Sequence, residues 1–128
     1  MNESLYASLG GADGVRALVD RFYDHMDTLP KAAVVRGLHP ADLTAARDKL
    51  YWFLSGWTGG PPLYVMRKGH PRLRMRHMPF AIGPQARDEW MLCMDRALDE
   101  LVEEELLREQ LSGSFRRIAA HMQNRDED

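Results

Sequence analysis

Covalent cross-linking is absent from this sequence. Its one cysteine, Cys93, cannot form an internal disulfide, so nothing in the chain requires an oxidising compartment. Nor do paired cysteines occur. His70, His77 and Cys93 do not make the set of about four closely spaced ligands that structural zinc takes. No apolar run approaches the roughly 18 residues of a membrane-spanning helix. Residues Met1 to Gly10 show no basic stretch followed by an apolar one, so we expect no signal peptide and a cytoplasmic protein. Charge of one sign is not in large excess: 17 Lys and Arg face 19 Asp and Glu, a formal −2. No whole-chain field therefore draws the protein to nucleic acid or to an anionic membrane. Alternating β-branched residues are missing, which argues against a sheet. A glycine-rich turn after a strand is missing too, so there is no flavin or nicotinamide signature.

What the sequence does have is helical periodicity. Val15, Leu18, Val19, Phe22 and Met26 recur at three- and four-residue steps, with Gly10-Gly11 before them and Pro30 after. A short turn is expected around Ser4 to Leu9. A second helix is predicted from about Pro40 to Trp57, with Leu43, Ala46, Leu50, Phe53, Leu54 and Trp57 as its stripe. The run Gly59-Gly60-Pro61-Pro62 ends it. A third helix spans about Pro84 to Glu105, with Trp90, Met94, Ala97, Leu98 and Leu101 on one face. A fourth spans about Leu106 to Met122, with Leu107, Leu111, Phe115, Ile118 and Met122. The expected fold is all-α, one domain over residues 1–128, with a polar, acidic tail at 123–128 that frays.

Between the second and third helices lies a long stretch, Gly59 to Gly83, rich in breakers and in arginine, yet carrying Leu63, Tyr64, Leu73, Met75 and Phe80. Loops this long are usually functional or disordered, and the apolar content argues against disorder. It reads as an ordered loop wrapped around something. Pro79 disfavours helix at Met78, so a short helix over about Arg72 to His77 ends there. His77 then sits in a last helical turn. A free carbonyl there can hold one ring nitrogen and leave the other for a metal. Leu73 and Phe80 flank it with apolar surface, and Arg72, Arg74 and Arg76 supply cations. One neutral imidazole in an apolar wall with cations at the rim is what a haem needs. From the opposite side, the Tyr23 hydroxyl and the Trp90 indole N–H could donate to a diatomic ligand.

The bland readings stand beside these. A lone histidine near apolar residues is usually structural, and Tyr23 and Trp90 occupy faces where aromatics are ordinarily core. Cys93 reads as a small buried hydrophobe. His70, between Gly69 and Pro71, reads as a turn residue, and His25 and His121 as surface or core-edge residues. The alternating arginines do not suggest nucleic-acid binding in a net-acidic chain.

The pieces Gly10-Gly11, Arg21-Phe22-Tyr23, Phe53-Leu54, Gly59-Gly60-Pro61, Gly69 to Phe80, and Trp90 to Met94 together resemble the second group of truncated haemoglobins. The resemblance runs from about Tyr6 to Met122. It implies a two-over-two helical sandwich around haem b. His77 matches the proximal iron ligand, Tyr23 the distal tyrosine, and Trp90 the tryptophan over the distal haem. His39 matches a site held by an aromatic or a histidine in relatives, which would bring the distal donors to three. Ala46 matches the position of the distal histidine in ordinary globins, and Leu50 the next distal residue. Phe53 and Leu54 match apolar haem contacts; Lys49 and Arg76 match the cations that meet the propionates. The implied function is binding of oxygen, carbon monoxide or nitric oxide, oxygen carriage included. The alternative is a redox enzyme acting on nitric oxide or peroxide, which would need an external reductase. A third reading is a helical interaction or sensor module without haem. No nucleic-acid or membrane partner is implied, and a homodimer is left open.

Overall fold

The computed structural model describes residues 4–128, and among them it contains helices and turns but no strand. Helix α1 (Leu5–Ser8) is capped by Ser4, whose Oγ accepts from the Ala7 N–H at 3.1 Å. Gly10, at φ 98°, takes the left-handed turn that glycine tolerates best and launches α2 (Gly11–Thr28). Helix α2 buries Val15, Leu18, Val19, Phe22, Tyr23 and Met26, the stripe its periodicity predicts. A 3-10 turn (Pro30–Ala32) and α3 (Ala33–Gly37) follow.

Helix α4 (Thr44–Trp57) starts later than the expected Pro40. The reason is local. Arg36 donates to the Pro40 and Ala41 carbonyls, both at 2.9 Å, and Asp42 Oδ1 accepts from the Thr44 N–H at 2.9 Å. These contacts hold the chain in a loop up to the first residue of the helix. The breaker-rich stretch contains two short helices, α5 (Leu63–Lys68) and α6 (Leu73–His77). Only the second was predicted. Helix α7 (Pro84–Leu101) stops short of the expected Glu105, because Val102 turns extended and buries itself in the core. Leu101, expected on the buried stripe, is 43% exposed at that helix end. Helix α8 (Glu105–Met122) completes the set.

Two packed pairs, α2 with α4 and α7 with α8, are joined by extensive contact between α2 and α7. Phe22, Leu18, Met26, Met94, Leu98, Leu111 and Phe115 are fully buried where they meet. Each such side chain contributes roughly 1.5–3 kcal/mol by leaving water. Helix α6 packs on α8, and α4 packs mainly on α2 and α5, with Trp57 at its end also meeting Phe115 of α8. Helices α4 and α6 do not pack closely on each other, although Trp57 and Leu73 line one cleft.

The acidic tail, expected to fray, is hydrogen-bonded to the rest of the fold. Asn124 Nδ2 donates to the carbonyls of His77 (3.2 Å) and Phe80 (2.8 Å), and its Oδ1 accepts from the Ile82 N–H at 2.9 Å. Asp128 Oδ1 accepts from the Gln85 N–H at 2.8 Å. The segment around Pro79 and Pro84 is short of regular backbone partners, and the tail supplies them. No helix of the described residues is long and apolar enough to cross a membrane.

Candidate functional site

The site grows from the short helix α6. His77 stands in its only full turn, and Nδ1 lies 2.6 Å from the Leu73 carbonyl oxygen, four residues back. A carbonyl can only accept, so Nδ1 carries a proton, and the tautomer this selects presents its lone pair at Nε2. Nε2 has no hydrogen-bond partner among the described residues, and no buried side-chain polar atom lacks one. Nε2 therefore reaches open space.

The wall across from α6 is α4. Its predicted stripe is only half covered. Leu54 is fully buried against the core, while Ala46, Leu50, Phe53 and Trp57 are each half-buried. A stripe that looks like core in sequence thus keeps a free apolar face. A cleft of about 480 Å³ opens beside it, lined by Trp57, Leu73, Ser114, Arg117, Ile118 and His121. These residues come from α4, α6 and α8; Leu73, which flanks His77, is among them, but His77, Tyr23, His39 and Trp90 are not. Phe80 is 43% exposed at the far side of His77. Lys49 and Arg76 are exposed, and neither is ion-paired with a carboxylate among the described residues.

A chain of rings runs along the inner side. His39 meets Tyr23 at 5.9 Å, Tyr23 meets Phe22 at 4.8 Å, and Phe22 meets Trp90 at 5.0 Å. Trp90 continues to Phe115 at 6.0 Å, and Phe115 to Trp57 at 5.0 Å. The Tyr23 hydroxyl and the Trp90 indole N–H donate to no described protein group. Burial pushes the Tyr23 pKa well up, against a smaller pull from Arg47, so the phenol keeps its proton and stays a donor. His39 Nδ1 donates to the Val35 carbonyl at 2.9 Å, which again leaves Nε2 as the free nitrogen. Burial lowers the His39 pKa, partly opposed by that carbonyl; the charges of Arg36 and His77 lower it further.

These features fit a haem. Among the described residues no three His, Cys, Asp or Glu side chains gather as a metal-binding group. An imidazole with a free Nε2 on α6, faced by no cluster of protein ligands, suits a metal whose other ligands arrive with it, as they do in a macrocycle. The half-covered apolar stripe suits the flat ring, and the exposed cations suit its propionates.

Two residues that the sequence did not flag brace the site, Glu89 beside His39 and Asn124 beside His77. Glu89 is 7% exposed; its Oε1 accepts from the Val35 N–H at 3.0 Å and its Oε2 from Gln85 Nε2 at 2.9 Å. It anchors α3, whose Val35 carbonyl in turn orients His39. A carboxylate on an otherwise apolar face, next to Trp90, was the available signal. Asn124, which ties down the backbone on either side of Pro79, gave none. His70 serves a turn, its Nδ1 accepting from the Arg72 N–H at 3.0 Å. Cys93 is fully buried, and burial, with Glu89 nearby, pushes its thiol up to about 11. A second cleft of about 430 Å³, at Lys31, Gln85, Asp88 and Asp128, likewise contains none of His77, Tyr23, His39 and Trp90.

Comparison with known proteins places these features in company. A family model described as bacterial-like globin matches residues 4–124. The group 2 truncated hemoglobin YjbI of Bacillus subtilis is 39% identical over 117 residues, covering 91% of this chain and 86% of that one. The group II 2-on-2 hemoglobin from Agrobacterium tumefaciens superposes with a TM-score of 0.93 at 52% identity, covering 96% of this chain and 95% of that one. The cold-adapted truncated hemoglobin of Pseudoalteromonas haloplanktis gives 0.94 at 47% identity, with 96% and 99% covered.

Proposed function

The chain belongs to the bacterial-like globin family, in the second group of truncated haemoglobins, and is a haem protein that binds gas ligands; on that premise we propose that His77 ligates the iron of haem b and that Tyr23 and Trp90, joined by His39, donate to the bound diatomic ligand. One observation carries this reading. The His77 ring is fixed by the Leu73 carbonyl with Nε2 left available, on a helix that stands off from a half-covered apolar stripe.

Haem, when bound, supplies an iron that takes a diatomic gas and changes redox state. The chain does the rest. The Leu73 carbonyl fixes the His77 tautomer and makes Nε2 a better donor of electron density. Leu50, Phe53, Leu73 and Phe80 exclude water from the faces of the ring. Lys49 and Arg76 pair with the propionates at the rim. Tyr23, held protonated by burial, donates from its hydroxyl, and Trp90 from its indole N–H. His39 accepts at Nε2 while neutral and donates only after taking a proton.

Hemin titration of the purified protein tests the reading. A Soret band and a carbon monoxide difference spectrum are expected for the natural sequence, and neither in stable form for His77→Ala. A protein that gains no Soret band refutes haem binding. A His77→Ala variant with unchanged spectra removes His77 from the iron.

A redox role is the second reading, favoured by the number of unpartnered donors around the gap. Donors that slow ligand release suit chemistry better than carriage. Oxidation of nitric oxide to nitrate is the reaction to try, with electrons from an external reductase. Rapid mixing of the oxygen-equilibrated ferrous protein with nitric oxide should give ferric haem and nitrate; slow or absent conversion returns the protein to simple ligand binding.

A further inference from the structure

Between Asp48 and Asp88 the chain has no carboxylate side chain. Lys49, Arg67, Lys68, Arg72, Arg74, Arg76 and Arg87 all lie in that stretch, so the formal −2 divides into +7 there and −9 elsewhere. The fold keeps this separation. Apart from Arg87, these cations are exposed, and none lies within ion-pair distance of a carboxylate among the described residues. The ion pairs that do form engage Arg16, Arg21, His25, Arg36, Arg47, Arg87, Arg108 and Arg116.

Neutral contacts hold the unpaired cations together. Arg67 lies over the Trp52 ring at 4.7 Å and Arg76 over Tyr64 at 5.7 Å. Arg76 Nη2 donates to the Lys68 carbonyl at 3.5 Å, which brings the end of α5 against α6. Arg74 donates to the carbonyls of His121 and Gln123, both at 2.9 Å. Gathering like charges without a counter-charge costs stability, so the arrangement calls for an anion from outside. Two propionates account for Lys49 and Arg76. Arg67, Lys68, Arg72 and Arg74 remain, on and between the two helices that lead to His77. Exposed Met66, Met75 and Met78 lie among them, giving the mixture of apolar surface and charge that protein interfaces use.

We propose that α5, α6 and the turn between them form the docking surface for an acidic electron-carrier protein, which gives one electron to the ferric iron and is itself oxidised by one electron. This rests on the haem reading above and names the chemistry of the external reductant. A carrier rather than a lipid surface fits the charge distribution. A membrane is broad and would also meet the strongly acidic remainder of the protein, within the ~8 Å range over which charges act at physiological salt. A small partner meets only the patch. Electron-transfer encounters of this kind need little buried area, under about 1,200 Å².

The haem-loaded ferric protein can be reduced by the dianionic iron–EDTA complex and, separately, by cationic hexaammineruthenium(II), from about 10 to about 200 mM salt. The anionic reductant should slow at least about fivefold as salt rises, although the whole protein is net negative, while the cationic one should not slow. Reduction by a reduced two-iron ferredoxin, an acidic carrier, should saturate with ferredoxin concentration. The triple variant Arg67→Glu, Lys68→Glu, Arg72→Glu should lose both the salt slope and the saturation while keeping its Soret band. Calorimetric titration with ferredoxin reads docking without requiring haem, so a protein that fails to load hemin does not decide this point. Acceleration of the anionic reductant by salt, ferredoxin binding unchanged in the triple variant, or binding to phosphatidylserine vesicles in place of ferredoxin would each overturn the proposal.

Discussion

Glu89 should matter more than its distance from His77 suggests. Its carboxylate is almost fully buried and accepts two hydrogen bonds, from the Val35 backbone at 3.0 Å and the Gln85 amide at 2.9 Å. Replacement by leucine preserves approximate volume but removes both. A hydrogen bond to a charged group contributes about 1.5–3 kcal/mol, and stranding the buried Val35 N–H adds to the loss. We therefore expect Glu89→Leu to cost about 3 kcal/mol. A protein of this size has about 5–15 kcal/mol in total, so the loss is large. Glu89→Gln keeps an acceptor for Val35 and lets the Gln85 amide rotate, and should cost only about 1 kcal/mol. Urea unfolding of the haem-free proteins reads both. With a slope of about 1–3 kcal/mol per molar, the leucine variant should unfold at a midpoint lower by roughly 1–3 M. Because Val35 also orients His39, the leucine variant should load hemin but hold diatomic ligands with altered release. Equal midpoints for the glutamine and leucine variants, both near the natural protein, would refute the anchoring role.

Three further outcomes follow from the same geometry. Trp90→Phe keeps the ring contacts with Phe22 and Phe115 but deletes the only N–H of the side chain; losing about 1 kcal/mol should raise the oxygen dissociation rate about fivefold in stopped flow, and an unchanged rate would remove Trp90 from ligand binding. Asn124→Ala frees the carbonyls of His77 and Phe80 and the Ile82 N–H; hemin transfer to an acceptor apoprotein should be several-fold faster, with stability lower by roughly 2 kcal/mol. His39 titrates below its ordinary 6.5, chiefly because burial disfavours its charged form. The folded state then binds fewer protons than the unfolded one, so its contribution to stability is complete above pH 6.5 and is lost as pH falls through the folded value. His39→Phe should flatten that part of the urea-midpoint profile, and parallel profiles would show that His39 is not the group responsible.

How legible each element was depended on how many faces it buries. Helices α2 and α8 present mainly one face to the core, so period alone located their stripes. Helix α7 is gripped between α2 and α8 and buries Met91 and Cys93 as well as Met94, Ala97 and Leu98, which blurs a one-sided pattern. Helix α5 follows two prolines and spans only Leu63–Lys68, too short for a period to register. His77 was legible because its partner is local: the carbonyl that fixes its ring belongs to Leu73, one turn earlier on the same helix. Glu89 and Asn124 act across the fold on backbone groups, and backbone groups carry no signature of residue type. The α4 stripe shows most plainly what three dimensions add. In sequence Leu50, Phe53 and Trp57 look like ordinary core; in the fold they are only half covered, Trp57 by Phe115, and α6 nearby offers a free imidazole nitrogen. An apolar face left open beside one available metal donor is costly in water unless a flat apolar ligand closes it. The half-covered stripe and the lone histidine are therefore two signs of one requirement, and the unpaired cations at the rim are a third.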